Sequence, residues 1–141
     1  MGATTKTLYD TDFAEWSIRT AELVRAGRLE EVDLAHLAEE IEDLGKSERK
    51  AVRSQLRRML LHLIKQQIQP ERDGASWRAS VVDARQEIVD DLADSPSLRP
   101  YLETHLQDIY RQALTLAEIE TGVPAKMPQQ CPYTLDQLLN G

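Results

Sequence analysis

The sequence contains a single cysteine, Cys131, and this scarcity excludes two kinds of site. One thiol cannot form an internal disulfide, and it cannot supply a cysteine-based zinc cluster. A lone cysteine is also typical of proteins that work in a reducing compartment. The sequence leaves the role of Cys131 open.

Long apolar runs are also absent. The apolar stretches are all far shorter than the roughly 20 residues that span a bilayer, and Met1–Lys6 has no apolar core of the signal-peptide kind. We therefore expect a cytoplasmic protein that does not contact the membrane.

The chain lacks sustained alternation of apolar and polar residues, which excludes a β-rich fold. It also lacks a glycine-rich phosphate loop, a His-Glu-x-x-His helix and a Gly-x-Ser-x-Gly motif. A net charge of -7 and a pI of about 5.0 argue against a surface that binds nucleic acid broadly.

What the sequence does contain is apolar residues at three- and four-residue spacing along most of its length, which predicts an all-α fold. At 141 residues the chain fits one domain, residues 1–141. Short connections favour an up-and-down antiparallel bundle of four to five helices, with an extended tail, residues 123–141, packed on it. The predicted helices run from Asp12 to Ala26, Asp33 to Gly45, Ser47 to Ile68, Ser76 to Asp94, and from the Pro96–Pro100 segment to Gly122, with a last short turn capped by Thr134.

The second and third predicted helices are separated only by Gly45 and Lys46, and the sequence leaves open whether they are continuous. A glycine inside a helix costs only about 1 kcal/mol. The predicted core stripe of the second helix is Leu34, Leu37, Ile41 and Leu44.

Charge is sorted into two blocks across these helices. Seven carboxylates lie between Glu30 and Asp43, and seven cations follow between Lys46 and Lys65. The opposite blocks suit self-association, in which the acidic segment of one subunit meets the basic segment of another. A basic stripe formed by Lys46, Lys50, Arg53 and Arg57 is an alternative site for nucleic acid or an acidic protein, although a solvated face explains it as well.

A series of short patterns resembles a known bacterial family. They are Leu8-Tyr9-Asp10, Asp12-Phe13, Leu37 to Gly45, Ser47-Glu48-Arg49, Gln69-Pro70-Glu71, Ser76-Trp77-Arg78, Ser95 to Leu98, Glu120-Thr121-Gly122 and Cys131-Pro132-Tyr133. In this order they resemble the all-α domain-of-unknown-function family twenty-nine, from about Leu8 to Leu139. The resemblance implies a single helical domain, common in cyanobacteria and proteobacteria. It implies no activity and transfers no functional residues.

Four polar residues lie on or beside predicted apolar faces: Arg85, Glu40, His62 and Glu120. An unpaired buried guanidinium costs several kcal/mol, so Arg85 needs water or a carboxylate, and Glu120 or Glu40 are candidates. One interpretation is an inward ion pair that fixes helix register, with His62 as a satisfied core-edge histidine. The other is a polar pocket shared between helices.

Helix carboxylates raise an enzyme hypothesis. Glu39, Glu40 and Asp43 lie within about one helical turn of one another, as do Glu87 and Asp90, and such carboxylates can share Mg²⁺ and hold a substrate phosphate. The two motifs loosely resemble those of all-α nucleoside-triphosphate pyrophosphatases of the MazG type. They lie far apart in the sequence, however, and Glu87 and Asp90 fall away from the predicted core face.

Taken together, the sequence favours a cytoplasmic interaction or regulatory module without catalysis. We expect an unknown protein partner or a second copy in a small homo-oligomer, and no nucleic acid. No cofactor is expected unless the chain is the Mg²⁺-dependent nucleotide or phosphate-ester hydrolase of the alternative hypothesis.

Overall fold

The computed structural model describes the backbone of residues 5–141 and the side chains from Leu8 onward. The first four residues of the Met1–Lys6 segment, for which the sequence predicts no apolar core of the signal-peptide kind, therefore lie outside the described residues. Within the described range the chain forms α-helices and no β-strand, so the predicted all-α bundle is confirmed. The helices are α1 (Thr5–Thr11), α2 (Phe13–Arg25), α3 (Leu34–Ile68), α4 (Ala75–Asp94), α5 (Leu98–Thr121) and α6 (Leu135–Asn140).

Several helix ends lie where local chemistry predicts them. The Asp12 carboxylate accepts a hydrogen bond from Glu15 N at the start of α2. At the start of α6, Thr134 and Gln137 form a reciprocal capping box. Gly27 and Gly122 adopt positive φ angles of 74° and 68°, which end α2 and α5 at a low steric cost.

Two features differ from the sequence prediction. α3 is one continuous helix of 35 residues, so the two helices predicted on either side of Gly45 are joined. The small cost of a helical glycine explains why Gly45 does not break it. α1 was not predicted, because seven residues are too few to show helical periodicity.

The chain divides into two compact units, and the boundary follows Ser47. The N-terminal unit contains α1, α2, a 3₁₀ turn at Leu29–Glu31 and the first residues of α3. Its buried side chains are Leu8, Trp16, Thr20 and Val32. That the whole chain is a single domain stays a prediction.

The C-terminal unit, residues 48–141, contains the rest of α3 together with α4, α5 and α6. Each of these helices contributes one apolar side to a common core. The core side chains are Val52, Leu56, Met59, Leu60 and Ile64 from α3, Val81, Ala84 and Ile88 from α4, Leu98, Leu102, Ile109, Tyr110, Ala113, Leu114 and Ala117 from α5, and Leu135 and Leu138 from α6. On α4, Val89 lies outside this core and is 40% exposed.

The tail after Gly122 packs on the C-terminal unit. The Tyr110 hydroxyl donates a 2.6 Å hydrogen bond to Pro128 O, and Cys131 N donates a 2.7 Å bond to Gln107 Oε1. Burial raises the pKa of the Cys131 thiol, which disfavours the reactive thiolate. The Cys131 side chain is partly buried and packs against the core of the C-terminal unit.

Candidate functional site

A hydrogen-bonded cluster of polar side chains lies in the N-terminal unit. Asp33 precedes α3, and its Oδ1 accepts from His36 N at 3.3 Å while its Oδ2 lies 2.5 Å from His36 Nδ1. The Tyr9 hydroxyl of α1 donates a 2.6 Å hydrogen bond to Glu40 Oε1. The Tyr9 ring stacks on the His36 ring with centroids 3.8 Å apart, so the two pairs form one cluster.

These contacts change how the cluster titrates. The hydrogen bond to Asp33 raises the pKa of His36, because the carboxylate stabilises the protonated ring. The hydrogen bond to Glu40 raises the pKa of Tyr9 to about 12, because a phenolate at this position would lose the bond and face a carboxylate. The cluster therefore favours the protonated form of the His36 ring.

Two aromatic rings of α2 pack against the Tyr9 ring of α1. Its ring meets those of Trp16 and Phe13 at centroid distances of 5.0 and 5.8 Å, in edge-to-face arrangements. Trp16 is buried, and its Nε1 has no hydrogen-bond partner among the described residues. Thr20 Oγ1, one turn further along α2, is also buried and has no hydrogen-bond partner among the described residues.

The chemistry of the cluster is limited by what surrounds His36. An Asp–His pair can orient an imidazole as a general base. Within the part of the chain that the structure describes, no hydroxyl or thiol nucleophile hydrogen-bonds to His36, and the Tyr9 hydroxyl is bound to Glu40. The contacts instead hold α1 to the first turns of α3.

The outer side of α3 in the same unit is apolar and exposed. Leu34, Ile41 and Leu44 are 57%, 60% and 70% exposed, and Leu37 between them is half-buried. The prediction that these residues form a core stripe was therefore wrong for three of the four. The hydrogen-bonded cluster around Tyr9 lies against His36 and Glu40 of this segment. We call Leu34, Leu37, Ile41 and Leu44 the α3 stripe.

The prediction that Arg85 pairs with Glu120, one of its two candidate carboxylates, is also wrong. Arg85 Nε donates a 2.8 Å hydrogen bond to Leu138 O at the end of α6. Carbonyl groups at a helix C-terminus lack intrahelical donors, so Leu138 O can accept this hydrogen bond. Glu120 pairs instead with Lys65 at 2.6 Å.

Lys65 was missed as a member of this polar set. Its side chain is only 14% exposed, and its Nζ lies 5.6 Å from the Trp77 ring centroid as well as against Glu120. The residue therefore joins α3, α4 and α5 through an ion pair and a cation–π contact. Its position four residues after Leu61 and three before Ile68, on the apolar side of α3, is the signal that could have revealed it.

The two remaining candidates, Glu40 and His62, also have partners. Glu40 accepts the Tyr9 hydrogen bond, and His62 Nδ1 lies 2.9 Å from Arg58 O, one turn earlier in α3. A ligand pocket shared by Arg85, Glu40, His62 and Glu120 stays a prediction. Among residues 5–141 there is no group of three or more His, Cys, Asp or Glu side chains arranged to hold a metal, so the set Glu39, Glu40 and Asp43 gains no support.

The basic stripe is partly assembled into a groove of the C-terminal unit. All four residues of the stripe belong to α3, and Arg53 and Arg57 line an open groove of about 530 Å³. Its other wall is α5, with Asp108, Arg111, Gln112, Thr115 and Leu116. Sequence reasoning missed Arg111, because nothing in the charge blocks relates α5 to α3.

Residues 8–141 match the family described as Domain of unknown function DUF29. The chain belongs to this family. The resemblance found in the short patterns is thus confirmed over nearly the whole chain. The DUF29 chain matches no curated protein and no solved structure. No helix in the described part of this DUF29 protein is long and apolar enough to cross a bilayer.

Proposed function

We propose that this protein is a cytoplasmic interaction module without catalysis, and that it associates with a second copy of itself through the α3 stripe. The observation that supports the proposal is the exposure of Leu34, Ile41 and Leu44. Each isolated exposed leucine would be ordinary, but three on one side of one helix form a contiguous apolar surface.

The spacing of the stripe favours a helix as the partner. Leu34, Leu37, Ile41 and Leu44 alternate three- and four-residue steps, which is the pattern of helices that pair side by side. Small residues, Ala38 and Gly45, follow Leu37 and Leu44 and allow a second helix to approach closely. A second copy supplies an identical apolar surface.

Charge favours an antiparallel pair. In a parallel pair the acidic residues of the two α3 segments would face each other and repel. In an antiparallel pair that packs Ile41 on Leu44 of the other copy, Glu39 of one copy lies level with Lys46 of the other. Such a contact is isologous and closes as a dimer.

Sedimentation equilibrium of the full chain at low and high salt tests the proposal. We expect a monomer–dimer equilibrium at micromolar concentration that weakens at high salt, because screening reduces attraction between exposed charges. Ile41→Glu should weaken dimerisation by about tenfold or more, because it places a carboxylate in the apolar contact. Val82→Glu on α4 is the matched control, since Val82 is 61% exposed and the charge change is the same.

A wild-type chain that stays monomeric at these concentrations at both salt levels contradicts the proposal. Equal weakening by Ile41→Glu and Val82→Glu also contradicts it, because the effect would then follow net charge alone. Far-ultraviolet circular dichroism of both variants, which reports helix content, verifies that each remains folded.

A further inference from the structure

The groove between α3 and α5 carries an excess of positive charge. Arg53 and Arg57 lie one helical turn apart on α3, and Arg111 faces the same groove from α5. Among the described residues that line the groove, Asp108 is the one carboxylate. Three guanidinium groups thus converge on a single concave surface of a chain whose net charge is -7.

Few groups of the chain itself form hydrogen bonds or ion pairs with these arginine side chains. Arg57 Nη1 reaches Gln112 Oε1 at 3.5 Å, the outer limit of a hydrogen bond. Within the described part of the chain, Arg53 and Arg111 make no side-chain hydrogen bond or ion pair, and neither does Asp108. Other cations of the same unit are paired closely, such as Arg58 with Asp83 at 2.6 Å and Lys65 with Glu120 at 2.6 Å.

Placing these arginines close together lowers the stability of the fold when nothing is bound between them. Like charges one turn apart on a helix repel, and a concave protein wall strengthens the field that they share. An anion in the groove would relieve the repulsion. Guanidinium groups match phosphate oxygens with paired hydrogen bonds, so three arginines in one groove are suited to phosphate.

The groove also offers contacts beyond charge. Its volume of about 530 Å³ falls within the range of small-molecule sites. Gln112 and Thr115 supply polar groups, and Leu116, which is partly exposed, supplies an apolar contact. We propose that this groove binds a small organic phosphate, with the phosphate on Arg53, Arg57 and Arg111 and the organic part against Leu116.

The proposal concerns the C-terminal unit and is independent of the α3 stripe. It is tested by NMR titration of arginine Nε–Hε signals in the full chain at low salt. The probes are adenosine monophosphate, inorganic phosphate, citrate and a short duplex DNA. We expect adenosine monophosphate to shift the signals of Arg53, Arg57 and Arg111 and to bind more tightly than inorganic phosphate.

Variants separate recognition from net charge. Arg111→Gln should weaken binding of adenosine monophosphate by about tenfold or more, since it removes one charge-assisted contact. Arg53→Gln should act similarly from the opposite wall. Arg19→Gln, an exposed residue of α2, makes the same charge change outside the groove and should leave binding unchanged. Thermal melts of the groove variants should match or exceed the wild type, because a repulsion is removed.

The proposal is overturned if adenosine monophosphate at millimolar concentration shifts none of the three arginine signals. Equal weakening by Arg19→Gln and Arg111→Gln overturns it as well. Citrate or inorganic phosphate binding as tightly as adenosine monophosphate would reject an organic phosphate as the ligand. Tighter binding of duplex DNA at the same arginines would assign the groove to nucleic acid instead.

Discussion

At the scale of single residues, Asp33 and Arg85 each bind a group that the sequence pattern did not single out. Asp33 is both the cap of α3 and the partner of His36 Nδ1. Arg85 binds a helix-end carbonyl rather than a carboxylate. The sequence showed that these residues needed partners, but which partner each found depends on distances that no sequence spacing contains.

The Asp33–His36 pair predicts that the stability of the fold depends on pH. Since the pKa of His36 is raised in the folded state, its protonated ring stabilises the fold at pH values below its ordinary pKa of 6.5. That contribution is lost as the pH rises through the raised folded-state pKa. Asp33→Asn should lower the pKa of His36 toward its ordinary value while keeping the helix cap, because asparagine caps as well as aspartate.

Histidine ring signals followed by NMR from pH 5 to pH 9 measure this change, and the signals of His62 and His105 serve as internal references. Urea unfolding should show that Asp33→Asn loses most stability in acid and progressively less as the pH rises. A His36 pKa that is the same in both proteins would show that Asp33 does not set it.

At the scale of elements, α3 shows that a glycine does not always end a helix. Gly45 keeps a helical conformation in the middle of α3, whereas Gly27 ends α2 with a positive φ. The same residue type therefore continues one helix and ends another. What differs is the sequence that follows: helical periodicity resumes directly after Gly45, but a polar segment follows Gly27.

Alanine substitutions test this contrast. Gly45→Ala should raise the free energy of unfolding by about 0.5–1 kcal/mol, because alanine loses less backbone entropy in a helix. Gly27→Ala should lower it by about 1 kcal/mol, because a side chain disfavours positive φ. Urea denaturation of both variants gives the two values. Destabilisation by Gly45→Ala would indicate that α3 is interrupted there.

At the scale of the whole molecule, the tail ties together the helices of the C-terminal unit. The Tyr133 hydroxyl accepts from Gln67 Nε2 of α3 at 2.6 Å, Pro128 O accepts from Tyr110 of α5, and Leu138 O accepts from Arg85 of α4. Leu135 and Leu138 complete the core between these contacts. The tail is therefore part of the fold of this unit.

Removing one tail anchor should destabilise the C-terminal unit. Leu135→Ala should lower the free energy of unfolding by about 2–4 kcal/mol, because it leaves a cavity in the core. Val82→Ala on the exposed side of α4 is the control and should change it by less than about 0.5 kcal/mol. Urea denaturation compares the two variants, and equal effects would show that the tail does not contribute to the core.

The sequence by itself determined the helical class and most helix ends, because capping and periodicity are local properties. It also determined the family, since the short patterns extend over nearly the whole chain. Periodicity says which residues share a side of a helix, but it does not say what covers that side. Only the tertiary structure decided that Leu34, Ile41 and Leu44 are exposed, that Lys65 holds Glu120, and that Arg111 joins Arg53 and Arg57 in one groove.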